Sequence, residues 1–133
     1  TIQAAVLLAK FAIFKQEVIS RQKIADIYNK KLNAIGIKST PNIRSFNTSV
    51  YAQYTIQVEE RDRYQSQLKE KGIPTAVHYP TLLPDQPAIK DFLISDTLYY
   101  AKQASLKVLS LPMHPYLSED DQNYIIMSLK EII

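Results

Sequence analysis

The chain has 133 residues, 46% of them hydrophobic, which suits one ordinary domain able to bury a core. Its formal charge of +3 is modest and the basic residues are scattered among acids, so no nucleic-acid-binding stripe is present. With no cysteine there is no disulfide framework or thiolate site, and no apolar run reaches the roughly 20 residues of a membrane span; a cytoplasmic protein with no nucleic-acid or membrane partner is expected.

From Ala4 onward, Leu7, Phe11, Phe14, Val18, Ala25, Tyr28 and Leu32 recur at steps of three and four, interrupted only by Arg21. This spacing predicts one long helix of about nine turns, stopped by Gly36. The chain opens on Thr1 already inside that helix, with no initiator methionine, charged leader or cleavage site, so it reads as the C-terminal piece of a longer protein. The C-terminal half of the stripe is expected to cover the domain's own sheet, and the N-terminal half to face a partner surface.

Lys38 to Ser49 is rich in turn formers around Pro41 and reads as a connection. Ala52, Tyr54, Ile56 and Val58 then alternate with Gln53, Thr55 and Gln57, the period of a strand with one buried face. Asp62 is placed to cap a helix on which Tyr64 and Leu68 share a face and which Gly72 ends. Thr75 to Tyr79 reads as a second strand stopped by Pro80, and the three prolines between Pro80 and Pro87 imply an extended loop over 81–88. Asp96 precedes a helix carrying Leu98, Ala101, Ser105 and Val108, and Val108 to Pro112 reads as a third strand. Ser118, followed by Glu119, Asp120 and Asp121, starts a last helix whose apolar face is Ile125, Leu129 and Ile132. The order predicts an α+β domain: a small, mostly antiparallel sheet with helices packed on one side and a long N-terminal helix.

Two histidines and no cysteine leave a metal centre to scattered carboxylates, so none is expected. Two glycines, at 36 and 72, cannot write a phosphate-cradling loop, and no serine lies in an elbow between glycines. Glu59, Glu60 and Asp62 beside Arg61 and Arg63 read as a solvated helix start rather than an acid/base pair. His114, between Met113 and Pro115, reads as structural. The candidate functional pair is His78-Tyr79, an imidazole and a phenol at a strand end where loops meet ligands. On a strand the two point to opposite faces, one to the core and the other to solvent or a ligand.

Tyr51 to Asp62, then Leu68-Lys69-Glu70-Lys71-Gly72-Ile73-Pro74-Thr75-Ala76-Val77-His78-Tyr79-Pro80, Gln86-Pro87-Ala88 and Leu109-Ser110-Leu111-Pro112-Met113-His114-Pro115 resemble the C-terminal domain of the DegT/DnrJ/StrS-type nucleotide-sugar aminotransferases. Ile2-Gln3-Ala4-Ala5 resembles the start of the helix leading into that domain, so the resemblance covers nearly the whole chain. It implies that residues 1–133 are the single small C-terminal domain of an aspartate-aminotransferase-like enzyme. The parent would be a homodimer using pyridoxal phosphate to move an amino group from an amino acid, usually glutamate, onto a nucleotide-linked keto-sugar.

In that family the Schiff-base lysine, the acid for the ring nitrogen and the phosphate anchors lie in the large domain, upstream of Thr1. No lysine here stands in the family's Schiff-base context, so the resemblance assigns no catalytic or cofactor-binding residue to this chain and makes the fragment inactive alone. It gives His78 and Tyr79 as substrate contacts, by hydrogen bonding and stacking to the sugar nucleotide. Many members place a second histidine in the next loop, where this chain has Leu82-Leu83-Pro84. The wording Ala76 to Pro80 is similar to members acting on UDP-linked 3-keto amino-sugar acids. The competing expectation is a non-enzymatic α+β module that binds a ligand or partner through the proline loop, with Leu82 and Leu83 as anchors.

Overall fold

A computed structural model describes residues 1–89 and 98–133. Helix α1 spans Ile2–Ala34; strand β1, Tyr54–Gln57; helix α2, Arg61–Glu70; helix α3, Tyr99–Lys107; strand β2, Val108–Leu111; and helix α4, Glu119–Lys130. β1 and β2 pair antiparallel, with Tyr54 opposite Leu111 and Ile56 opposite Leu109. Those four side chains are buried and lie against Tyr28 and Leu32 of α1, Leu68 of α2 and Ile125 and Leu129 of α4. The α+β architecture is therefore as expected, with the helices on the apolar face of the sheet. Each fully buried leucine or isoleucine contributes about 1.5–3 kcal/mol of transfer free energy, so this layer dominates stability.

Only the C-terminal half of α1 belongs to that core. Ala25, Tyr28 and Leu32 have no exposed surface, whereas Leu7, Phe11 and Phe14 are 65%, 76% and 52% exposed. Arg21, which interrupts the apolar row, has a structural task instead: its Nη1 donates to the carbonyls of Tyr51 (3.0 Å) and Met113 (3.3 Å). A guanidinium offers several donors on one rigid plane, so a single side chain ties two loops to the helix.

The two glycines close two helices in the same way. Gly36 (φ 94°) and Gly72 (φ 72°) lie in the left-handed region, one residue beyond the caps of α1 and α2. The N–H of Ile37 reaches back to the carbonyl of Leu32 at 3.0 Å, and that of Ile73 to Leu68 at 2.8 Å. Both pairs are buried apolar residues, so the turn that satisfies the last carbonyls also returns the chain to the core. α4 starts as expected, with Ser118 Oγ accepting from the N–H of Asp121 at 3.0 Å and Asp121 Oδ2 accepting from the N–H of Ser118 at 3.3 Å.

Four expectations are corrected. The residue before α2 is Glu60, in the left-handed region and without a side-chain cap bond, and Asp62 sits inside the first turn, where the helix dipole favours a carboxylate. Arg61 is not solvated but 8% exposed, while the acids around it are exposed and paired: Glu59 with Lys107, Glu60 with Arg63, Asp62 with Arg61. Thr75 to Tyr79 is not a strand: its pairing with β2 is reduced to one bridge, Ala76 with Ser110, because Pro74 and Pro80 supply no ladder donors. The proline loop is not extended throughout but folds into two 3₁₀ turns, Leu83–Asp85 and Pro87–Ile89, whose prolines pre-set the backbone angle of a helical first turn. α3 carries Ala101 and Ser105 as expected; Asp96 lies outside the described residues.

Candidate substrate-facing cleft

The outer face of the sheet is built by the same alternation that builds the core. With Tyr54 and Ile56 turned inward, Thr55 and Gln57 turn outward, and Ser110, opposite Thr55, lies between the buried Leu109 and Leu111. Ala76 is fastened beside Ser110 by two backbone bonds, of 2.8 and 3.1 Å. Val77 packs on the core, and His78, two residues beyond Ala76, lies on the outer side with its Nδ1 3.3 Å from Ser110 Oγ.

A cleft of about 370 Å³ opens on this face. Its walls come from Pro74, Ala76, Pro112 and Met113, with His78, Ser110, Thr75, Gln53 and His114 as the polar side chains. Arg21 fixes one wall through the Met113 carbonyl. A larger hollow of about 590 Å³ beside α2, lined by Gln65, Ser66 and Lys69, contains no imidazole or aromatic ring.

Of the two sequence-predicted contacts, His78 lines the cleft, while Tyr79 stands at its side, 73% exposed, with its ring edge-on to His78 at a centroid distance of 5.6 Å. Neither faces the core, which corrects the expectation that one of them would. The alternation that would turn Tyr79 inward needs a paired ladder, and pairing ends at Ala76. His114, read from sequence as structural, is exposed and lines the same cleft. Ser110 was not singled out; its signal was a lone polar residue between two leucines of a strand, a residue on the open face.

The cleft offers two imidazoles, two hydroxyls and an amide among apolar walls, which suits hydrogen bonding to a polyhydroxylated ligand. It does not suit pyridoxal phosphate, because among the described residues no lysine lines it. Lys31, Lys71 and Lys107 are each paired with a glutamate elsewhere. Among the described residues there is no group of three His, Asp or Glu side chains able to hold a metal ion, and no helix long and apolar enough to cross a membrane.

Residues 1–130 match the model of the DegT/DnrJ/EryC1/StrS aminotransferase family. Among curated relatives, the chain is 49% identical over 117 residues to the UDP-2-acetamido-2-deoxy-3-oxo-D-glucuronate aminotransferase of Pseudomonas aeruginosa, covering 88% of this chain and 32% of that protein. It is 37% identical to a pleiotropic regulatory protein of Geobacillus stearothermophilus, covering 97% of this chain and 36% of that one. Among solved structures, a DegT DnrJ EryC1 StrS aminotransferase from Brucella abortus superposes with a TM-score of 0.90 at 40% identity, covering 98% of this chain and 35% of the other. DesV of S. venezuelae, in complex with a ketimine intermediate, gives a TM-score of 0.84 at 28% identity, covering 97% and 35%. The chain belongs to the DegT/DnrJ/EryC1/StrS aminotransferase family. It spans about a third of the length of the relatives it matches.

Proposed function

We propose that residues 1–133 form the C-terminal small domain of a pyridoxal-phosphate-dependent aminotransferase that moves an amino group from glutamate to a nucleotide-linked keto-sugar. In this reading the cofactor is held by residues outside this chain, and the small domain supplies one wall of the sugar site, with His78 and Tyr79 as substrate contacts. The observation that carries it is the family match along residues 1–130 together with an outward-facing His78 in a cleft of hydrogen-bonding groups. The preferred substrate is a UDP-linked 3-keto amino-sugar acid. This is supported by the 49% identity to the Pseudomonas aeruginosa enzyme, whose name specifies such a sugar. A cytoplasmic homodimer serving polysaccharide biosynthesis completes the reading.

The test takes the full-length protein, loads it with pyridoxal phosphate, adds glutamate and follows the absorbance of the cofactor. Conversion to the amine form, reversed by the keto-sugar, is the expected result. A full-length protein that binds no cofactor would overturn the reading and leave a ligand-binding module in its place.

A further inference from the structure

The outer face of the sheet carries a line of three polar side chains, Thr55, Ser110 and His78, of which the proposed chemistry gives a task to His78 alone. Ser110 exchanges both backbone bonds with Ala76, so its N–H and carbonyl point away from β1. Opposite Thr55 it therefore forms the kind of antiparallel pair that lacks backbone bonds, in which the side chains approach most closely. Thr55 Oγ1 lies 2.9 Å from Ser110 Oγ, and Ser110 Oγ lies 3.3 Å from His78 Nδ1. Ser110 is 6% exposed, whereas the ring it touches is open to solvent.

We propose that Ser110 is the positioning residue of His78: its hydroxyl, held from behind by Thr55, occupies Nδ1, so the imidazole meets the ligand through Nε2 alone. The inference rests on the reading of His78 as a substrate contact and adds to it which atom makes that contact. An exposed imidazole turns about its outer torsion between two broad orientations, in which Nδ1 changes places with Cδ2 and Nε2 with Cε1, so an unheld ring can also turn Nδ1 outward. A hydroxyl both donates and accepts, so Ser110 keeps its contact with Nδ1 whichever nitrogen carries the proton, while Thr55 takes the remaining bond. The rigid element is the strand pair: Ser110 is fixed on one edge by β1 and on the other by Ala76, only two residues from the ring it orients.

The test uses the full-length protein and bromoacetate, which alkylates whichever imidazole nitrogen is open. The modified peptide is compared with synthetic standards carboxymethylated at Nδ1 or Nε2 of His78. The parent is expected to react at Nε2, Ser110→Ala to give a large Nδ1 fraction, and Ser110→Thr, which keeps a hydroxyl, to return to Nε2. Thr55→Val, which leaves Ser110 in place, should give an intermediate ratio. Ser110→Ala should also raise KM for the UDP-sugar about five- to tenfold, the worth of one oriented hydrogen bond, and leave the glutamate half-reaction unchanged. Identical regiochemistry in the parent and Ser110→Ala would overturn the proposal. Failure of UDP-linked N-acetylglucosaminuronic acid to protect His78 in the parent would instead overturn its role as a substrate contact, so the two readings fail by different measurements.

Discussion

Gly36 and Gly72 hold equivalent places at the ends of α1 and α2, each at positive φ and each followed by an isoleucine whose N–H closes on a buried leucine carbonyl five residues back. A Cβ at either glycine would meet nothing within 4 Å, so space is not the constraint there. The cost of a side chain is conformational. Gly36→Ala and Gly72→Ala should each lower stability by about 1 kcal/mol, measured by urea denaturation, and asparagine should cost less than alanine. Alanine variants as stable as the parent would show that the turns adjust to ordinary backbone angles.

Tyr28 and Tyr54 pack with ring centroids 4.9 Å apart, and the Tyr28 hydroxyl donates to the Pro112 carbonyl at 3.0 Å. Burial, then the neighbouring Tyr54 and Asp121, hold the Tyr28 phenol well above its ordinary range; burial, then Tyr51, do the same for Tyr54. A raised folded-state pKa contributes stability that is complete below the unfolded value near 10 and is lost above it, because only the unfolded chain then releases the proton. Stability should therefore fall above about pH 10, by about 1.4 kcal/mol per pH unit for each tyrosine. Tyr28→Phe should cost about 1 kcal/mol at neutral pH and remove one such share of the alkaline slope. Equal slopes in the two proteins between pH 10 and 11 would contradict the assignment.

Arg21 secures the Tyr51 and Met113 carbonyls to α1. Arg21→Ala should lower stability by about 1.5–3 kcal/mol, the range for hydrogen bonds from charged donors. Amide exchange should quicken around Tyr51 and Met113 before it does in α2. Arg21→Lys should recover only part of the loss, since an ammonium cannot reproduce the planar fork. Unchanged exchange in both loops would remove the tie from the account.

In the full-length protein, His78→Ala should raise KM for the UDP-sugar by about tenfold or more, as expected for one lost hydrogen bond in a polar site. The half-reaction with glutamate should keep its rate. His114→Ala, at the same cleft, should have a smaller effect of the same kind. Equal damage to both half-reactions would mean that His78 serves folding or the cofactor and not the sugar.

Much of this fold was legible from periodicity: the helical stripe, the alternation of Tyr54 and Ile56 with Thr55, and the capping pattern at Ser118 are local signals that the tertiary structure keeps. What escaped reading depended on pairing between distant segments. Thr75 to Tyr79 has strand-forming residues, yet a strand exists only where a neighbour supplies bonds, and prolines at 74 and 80 limit that to Ala76. Arg21 looked like a break in a stripe because its partners lie 30 and 92 residues away. His78 was legible as a candidate from its place at the end of an apolar run, and the structure puts it at the cleft, whereas Ser110 and His114 reached the cleft only through strand register and the turn after β2.

The long first helix also has a mechanical side. At 1.5 Å per residue its 33 residues make a rod of about 50 Å, and its first fully buried positions come only at Ile24 and Ala25. About 22 Å of that rod, residues 2–16, extends beyond the contacts that Glu17, Arg21 and Gln22 make with the rest of the domain. By geometry alone, a change of about 5° in its direction beyond Glu17 would move Ile2 by about 2 Å, so the anchors at Glu17, Arg21 and Gln22 set the heading of everything before them.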